Sequence, residues 1–186
     1  MENEKLNYLK ENPLTFLDIE TTGLRYDHEI IEIGGLVVSQ PDYKIISEFV
    51  FKIKPRFIAN ADQIALKIVG YNETDWQDGL DLKTALVRLE DLAKNTILVG
   101  QNFTFDWARL EKAFFENGWT DVPPAFSYHR LDVMSMAFAK LYNEPKVKHY
   151  SLRDLADYFG VTNEHQHNAL ADSRTTYEVF KKIMAL

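Results

Sequence analysis

Hydrophobic and polar positions divide this chain into two regimes. Up to about residue 54 the apolar residues fall in short runs or alternate with polar ones, as in strands; beyond residue 60 they recur every three or four positions, as in helices. Leu14 to Ile19 is an apolar run short enough to be a strand buried on both faces. Ile30 to Ser39 (IIEIGGLVVS) predicts a second strand and Tyr43 to Lys54 a third, with Gln40-Pro41-Asp42 as the turn between them. In the third, Phe49, Phe51 and Ile53 alternate with Val50, Lys52 and Lys54, which predicts one solvated face. Together the three predict an antiparallel meander.

The helical part begins with a short amphipathic segment, Asn60 to Gly70. Asp81 to Asn95 predicts a longer helix capped by Asp81, with Leu82, Ala85, Leu86, Leu89 and Leu92 on one stripe. Thr96 to Gly100 is a short buried strand, and the helix after it, Thr104 to Asn117, is closed by Gly118. Pro123-Pro124 breaks the chain; a strand over Phe126 to Leu131 then leads into a helix through Lys140. Ser151-Leu152-Arg153-Asp154 is a capping box opening a helix that Gly160 ends, and a last helix runs from Asn168 to the C-terminus. Strands first and strand–helix alternation afterwards predict an α/β domain with a mixed sheet covered by helices. At 186 residues, one domain over 1–186 is expected.

Acids interrupt this pattern where apolar residues belong. Asp18 and Glu20 lie one residue apart in the first strand, so their carboxylates share a face with Cα atoms roughly 6–7 Å apart. Burying either charge unpaired costs several kcal/mol, so the pair implies a counter-charge, of which a divalent metal is the simplest. The bland alternative is a frayed strand end bonded to local amides. Asp106 shares a helical stripe with Leu110, Ala113 and Phe114, and reads either as favourable charge at a helix N-terminus or as an acid aimed at the core edge. Asp172 is the odd member of an inward stripe otherwise made of Ala169, Thr176, Val179, Phe180 and Ile183. His167, five residues earlier at that helix's entrance, is a credible base, while His165 reads as a loop residue. Asp132 closes an apparent strand, and a structural cap is the simpler of its two readings, the other being support of the acids.

Composition narrows the classes. The chain has 21 basic and 28 acidic residues, net −7, which argues against coating nucleic acid through a wide basic surface. It leaves room for a protein that holds a few nucleotides through metals and backbone amides. There is no cysteine and therefore no disulfide framework. No signal-peptide or membrane-spanning stretch is visible, so a soluble, cytoplasmic protein with no membrane partner is expected. Basic residues gather at Lys140, Lys146, Lys148, His149 and Arg153, either as a solvated loop or as a grip on a nucleic-acid backbone.

FLDIETTGL, VGQNFTFDWARL and HNALADS resemble, in order, the three exonuclease motifs of the DnaQ-like, or DEDDh, 3′–5′ exonucleases. The likeness covers nearly the whole chain, including the SLRDLADYFG helix before the third motif. It implies a ribonuclease H-like α/β fold: a mixed five-stranded sheet, its first three strands antiparallel, flanked by helices. It also implies that Asp18, Glu20, Asp106 and Asp172 are metal-site acids and His167 the general base. Members commonly have His-Asn where this chain has Gln101-Asn102, and His-Gly where it has Val69-Gly70. Neither position is among the four acids or the base.

The chemistry implied is phosphodiester hydrolysis with two divalent cations, Mg²⁺ or Mn²⁺, which oxygen ligands suit. On this resemblance Asp18 bridges the metals, Glu20 and Asp172 complete their ligands, Asp106 acts through water, and His167 takes the proton of the attacking water. Amides of Thr21, Thr22 and Gly23 would meet the terminal nucleotide, with Leu24 wedged against its base. Asn102 and Lys148 are further substrate contacts. Phe103 and Phe105 are candidates for stacking, although aromatics beside a helix start are more often core. The expected activity is 3′–5′ removal of nucleoside 5′-monophosphates from a single-stranded DNA or RNA 3′ end. The Glu20-Thr21-Thr22 run resembles polymerase proofreading subunits and ribonuclease T more than oligoribonucleases, which favours DNA. Alternatives are a proofreading subunit docked on a DNA polymerase, an RNA-processing exoribonuclease, and an inactive binding module. The chain ends soon after its last helix and shows no sliding-clamp motif, so free-standing action is expected.

Overall fold

The computed structural model describes residues 9–120, 125–162 and 167–186. Pro123-Pro124, His165 and most of the polar N-terminal segment lie outside the described residues. Three strands come first: β1 (Leu14–Thr21), β2 (Ile30–Val38) and β3 (Ile45–Lys52). A 3₁₀ turn at Ile58–Asn60 leads to α1 (Gln63–Val69), α2 (Glu73–Trp76) and α3 (Leu82–Leu92). Then come β4 (Ile97–Gly100), α4 (Thr104–Glu116), β5 (Arg130–Asp132), α5 (Val133–Leu141), α6 (Leu152–Phe159) and α7 (Ala169–Met184). The strands form one five-stranded sheet in the order β3-β2-β1-β4-β5. β1–β2 and β2–β3 are antiparallel; β1–β4 and β4–β5 are parallel.

The expected boundaries are set by the expected chemistry. Asp81 and Ser151 cap α3 and α6 by accepting from Thr84 N and Asp154 N. Asp62 caps the first helix, which starts at Gln63 and is shorter than the Asn60 to Gly70 segment the pattern suggested. Gly70 and Gly160 close α1 and α6 in the left-handed conformation, at φ 70° and 65°. The fifth strand differs from expectation: pairing covers Arg130–Asp132 and not Phe126–Leu131. Phe126 is instead a core plug edge-on to Phe114, at 5.8 Å between ring centroids. Among the described residues, isolated bonds such as Ser127 N to Thr96 O tie that segment to the start of β4. Asp132 caps α5 through Ser135 N and also accepts from Phe103 N, so its role is a cap and a brace.

β1 separates two layers of core. Leu17 and Ile19 on one face pack with Leu86 and Leu89 of α3 and Leu110 and Phe114 of α4. Leu14 and Phe16 on the other pack with Leu36 and Val38 of β2 and with Tyr177, Val179 and Phe180 of α7. Strand alternation puts Asp18 and Glu20 on the second face, beyond the apolar half of β1. The face that is oily under the middle of α7 is therefore acidic under its N-terminus. Among the described residues no helix is long and apolar enough to cross a membrane.

Candidate active site

β1 pairs with β4 only as far as Phe16, so the Ile19 amide on that edge has no strand to donate to. The carboxylate of Asp106 accepts it at 3.2 Å. This bond ties the first turn of α4 to β1 and brings Asp106, 5% exposed, close enough for its charge to act on Asp18 and Glu20. The charge at a helix N-terminus and the acid at the core edge are thus the same residue doing both.

From the opposite side comes the entrance of α7. Asn168 caps the helix by accepting from Ala171 N. His167, exposed and at φ 65°, turns the chain just before the cap, and its amide donates to Asp172 Oδ2 at 2.9 Å. That bond makes the five-residue spacing of His167 and Asp172 a closed local unit. Ligand atoms of Glu20, His167 and Asp172 all lie within 4.8 Å of one another. Asp18 neighbours them on β1 and feels, in order, Asp106, Glu20 and Asp172.

The electrostatics are those of acids confined without a cation. Burial, followed by the charges of its neighbours, pushes the Asp18 carboxyl well above the usual carboxylate range. Glu20 is raised to about 8, first by burial and then by Asp172, Glu32 and Asp106. Asp106 is raised to about 7 by burial, against the opposing effect of the Ile19 amide. Among the described residues no lysine or arginine forms an ion pair with Asp18, Glu20 or Asp106. Carboxylate oxygens clustered this way, with one imidazole at the rim, fit a hard divalent cation.

The turn after β1 is built on buried threonines. Thr21 Oγ1 donates to Gly23 O, Thr22 N donates to Glu29 O, and Thr22 O accepts from Asp62 N. The Thr22 amide is therefore committed inside the protein, which corrects the expectation that it faces a nucleotide. Among the described residues the amides of Gly23 and Leu24 have no protein acceptor. Gly23 has φ 149°, and a Cβ there would lie 2.1 Å from His28 Nδ1, so only glycine fits. Leu24 is 80% exposed, and its carbonyl is held by the guanidinium of Arg109 on α4.

The remaining expected contacts divide. Asn102 is exposed at φ 53° beside the start of α4. Phe103 is 3% exposed and lies in the core against Gly100, so a stacking role for its ring is corrected to packing. Phe105 carries the Arg109 guanidinium on its ring at 3.4 Å. Lys148 is exposed on the loop before α6, and no hydrogen bond or ion pair among the described residues joins it to the acids. Sequence reasoning missed Arg109 and Glu32. Glu32 is 2% exposed, opposite Glu20 across the β1–β2 ladder, and accepts from Ala169 N. An acid inside the otherwise apolar run IIEIGG was the available signal.

A carboxylate cluster with one histidine stands at the end of the central strand of this sheet, a group that could hold a divalent metal. The chain belongs to the exonuclease family RNase_T, whose model matches residues 15–180. The fold is that of exonuclease I. One exonuclease I structure superposes with a TM-score of 0.82 at 20% identity, covering 94% of this chain and 41% of that one. Exonuclease I of E. coli in complex with a dT13 oligonucleotide gives 0.79 at 20%, covering 93% and 41%. Among curated proteins, the chain is 29% identical over 175 residues to the PolC-type DNA polymerase III of Caldanaerobacter subterraneus subsp. tengcongensis. It is 30% identical over 163 residues to that of Lacticaseibacillus paracasei. These alignments take in 94% and 86% of this chain but only 12% and 10% of the polymerases.

Proposed function

We propose that residues 1–186 form one exonuclease domain that removes nucleoside 5′-monophosphates stepwise from the 3′ end of single-stranded nucleic acid, DNA in preference to RNA. The observation that carries this reading is the meeting of Glu20, His167 and Asp172 within 4.8 Å, beside Asp18 and Asp106. Asp18, Glu20 and Asp172 would hold Mg²⁺ or Mn²⁺, with Asp106 contributing from the α4 side. When bound, the two cations supply charge stabilisation at the scissile phosphate and lower the pKa of water.

The chain's own groups do the rest. His167, at the exposed rim, accepts the proton of the attacking water as its oxygen bonds to phosphorus. The P–O3′ bond breaks, and the departing 3′-oxygen takes a proton from solvent. The free amides of Gly23 and Leu24 face the terminal nucleotide, and the Leu24 side chain stands against its base. Arg109 holds the Leu24 carbonyl and so fixes that wedge. Asn102 and Lys148 serve the strand further out.

The test is degradation of end-labelled DNA and RNA oligonucleotides, single- and double-stranded, side by side in Mg²⁺ and in EDTA. Metal-dependent loss of single-stranded DNA ahead of RNA supports the reading; faster loss of RNA makes the protein an exoribonuclease. A second reading is favoured by the polymerase relatives: a proofreading exonuclease acting within or beside a DNA polymerase. Co-purification with a polymerase, or stimulation by one on a mismatched primer, would establish it.

A further inference from the structure

Glu32 is a buried acid that no step above uses. It stands opposite Glu20 in the β1–β2 register, on the face that carries the acids, with Lys52 opposite it on β3. Its Oε1 accepts from Ala169 N at 2.9 Å. Ala169 is the first residue of α7, where backbone amides have no helical acceptor. Two residues along β2, Gly34 completes the seat. A Cβ on Gly34 would lie 2.2 Å from Leu170 N and 2.5 Å from Ala169 C, so the helix backbone rests directly on the strand. Gly34 O then accepts from Ser173 Oγ at 3.0 Å. Three contacts thus pin the first turn of α7 to β2, and the unit formed by His167 and Asp172 hangs from that turn.

We propose that Glu32 is the positioning residue of the site: its carboxylate oxygen, anchoring Ala169 N–H, fixes the entrance of α7 so that His167 and Asp172 face Glu20. This rests on the exonuclease reading above. Hydrogen bonding through one oxygen is the claimed action, so a glutamine, which keeps a carbonyl oxygen there, should do the same work. Alanine should not. Loss of an outer hydrogen-bond partner of a metal site lowers affinity or activity by about 10–100-fold. A displaced base lowers turnover and leaves substrate binding by the β1 turn intact.

The experiment compares wild type, Glu32→Gln, Glu32→Ala and a control, Thr15→Val. The control removes the buried Thr15–Thr96 hydrogen bond at the far end of β1 and so costs stability away from the site. Kinetics on a single-stranded DNA oligonucleotide in Mg²⁺ are read together with amide hydrogen exchange at Ala169. The expected result for Glu32→Ala is kcat down about 10–100-fold with KM within twofold, and loss of Ala169 protection. Glu32→Gln should stay within about threefold of wild type on kcat and keep that protection; Thr15→Val should lower Tm and leave kcat alone. Full kcat in Glu32→Ala, or Glu32→Gln as damaged as Glu32→Ala, overturns the proposal. If Glu32→Ala does not fold, unprotected Ala169 in Glu32→Gln overturns it equally. A wild type without nuclease activity defeats the exonuclease reading alone; Ala169 protection then decides the role of Glu32.

Discussion

Burial and neighbouring acids resist ionisation of Asp18 and Glu20, and their raised pKa values record that resistance. On the reading proposed above, removing either carboxylate relieves crowding of the acids and would also remove a cation ligand. Asp18→Ala or Glu20→Ala should therefore lose nearly all turnover while the metal-free protein melts no lower than wild type at neutral pH. Wild-type cleavage by either variant in saturating Mg²⁺ would rule out the metal site. His167 is exposed and its backbone amide donates to Asp172; in the function proposed above its imidazole takes the proton of the attacking water. His167→Gln should lower kcat by roughly 10²–10⁴-fold, the range for loss of a general base, with metal affinity little changed. Calorimetry showing metal binding lost would make the histidine a ligand. The four acids and the histidine were legible because each breaks an apolar pattern or sits at a helix entrance. The committed Thr22 amide was not legible, because Glu29 and Asp62, which bracket it, are distant or unpatterned in sequence.

Among the elements, the strands and helix caps follow from local chemistry, and the errors fall where tertiary contact decides. Phe126 has the apolar neighbourhood of a strand but is drawn into the Phe114 core, which shortens β5. α2, a single turn capped by Asn72, escaped notice because four residues carry no periodicity. The close approach of α7 to β2 is set by Gly34, whose importance lies in a contact more than 130 residues away along the chain. Gly34→Ala should force the first turn of α7 outward, with a cost of about 1–3 kcal/mol, typical of overpacking. Activity should fall further than that destabilisation accounts for, because the same turn carries His167 and Asp172. Denaturant unfolding alongside steady-state kinetics checks this; unchanged stability would show that the helix seat yields.

For the molecule as a whole, the acid cluster makes stability depend on pH in an unusual direction. Asp18, Glu20 (about 8), Asp106 (about 7) and Glu32 all titrate above their unfolded values near 4. Between about pH 4 and 8 the folded chain then binds more protons than the unfolded one, so stability falls as pH rises through that window. In EDTA, Tm should be higher at pH 5 than at pH 8.5, and Mg²⁺ at pH 8.5 should restore it by binding only the folded state. Combining Asp18→Asn with Glu20→Gln should flatten the slope. A Tm in EDTA that rises with pH would contradict the electrostatic account.

The central claim, hydrolysis at a free 3′ end by this acid cluster, is tested most directly by one gel. Its substrates are a 5′-labelled oligonucleotide ending in a 3′-hydroxyl, the same strand ending in a 3′-phosphate, and a circular strand of the same composition. In the function proposed above, the exposed Leu24 and the amides of Gly23 and Leu24, which have no acceptor among the described residues, would meet a neutral terminal hydroxyl. A 3′-phosphate adds about 1.5–2 negative charges there. The account predicts a one-nucleotide ladder in Mg²⁺ from the 3′-hydroxyl strand alone, absent in EDTA and absent with Asp18→Ala. Cutting of the circle, or a ladder that survives Asp18→Ala, would contradict it.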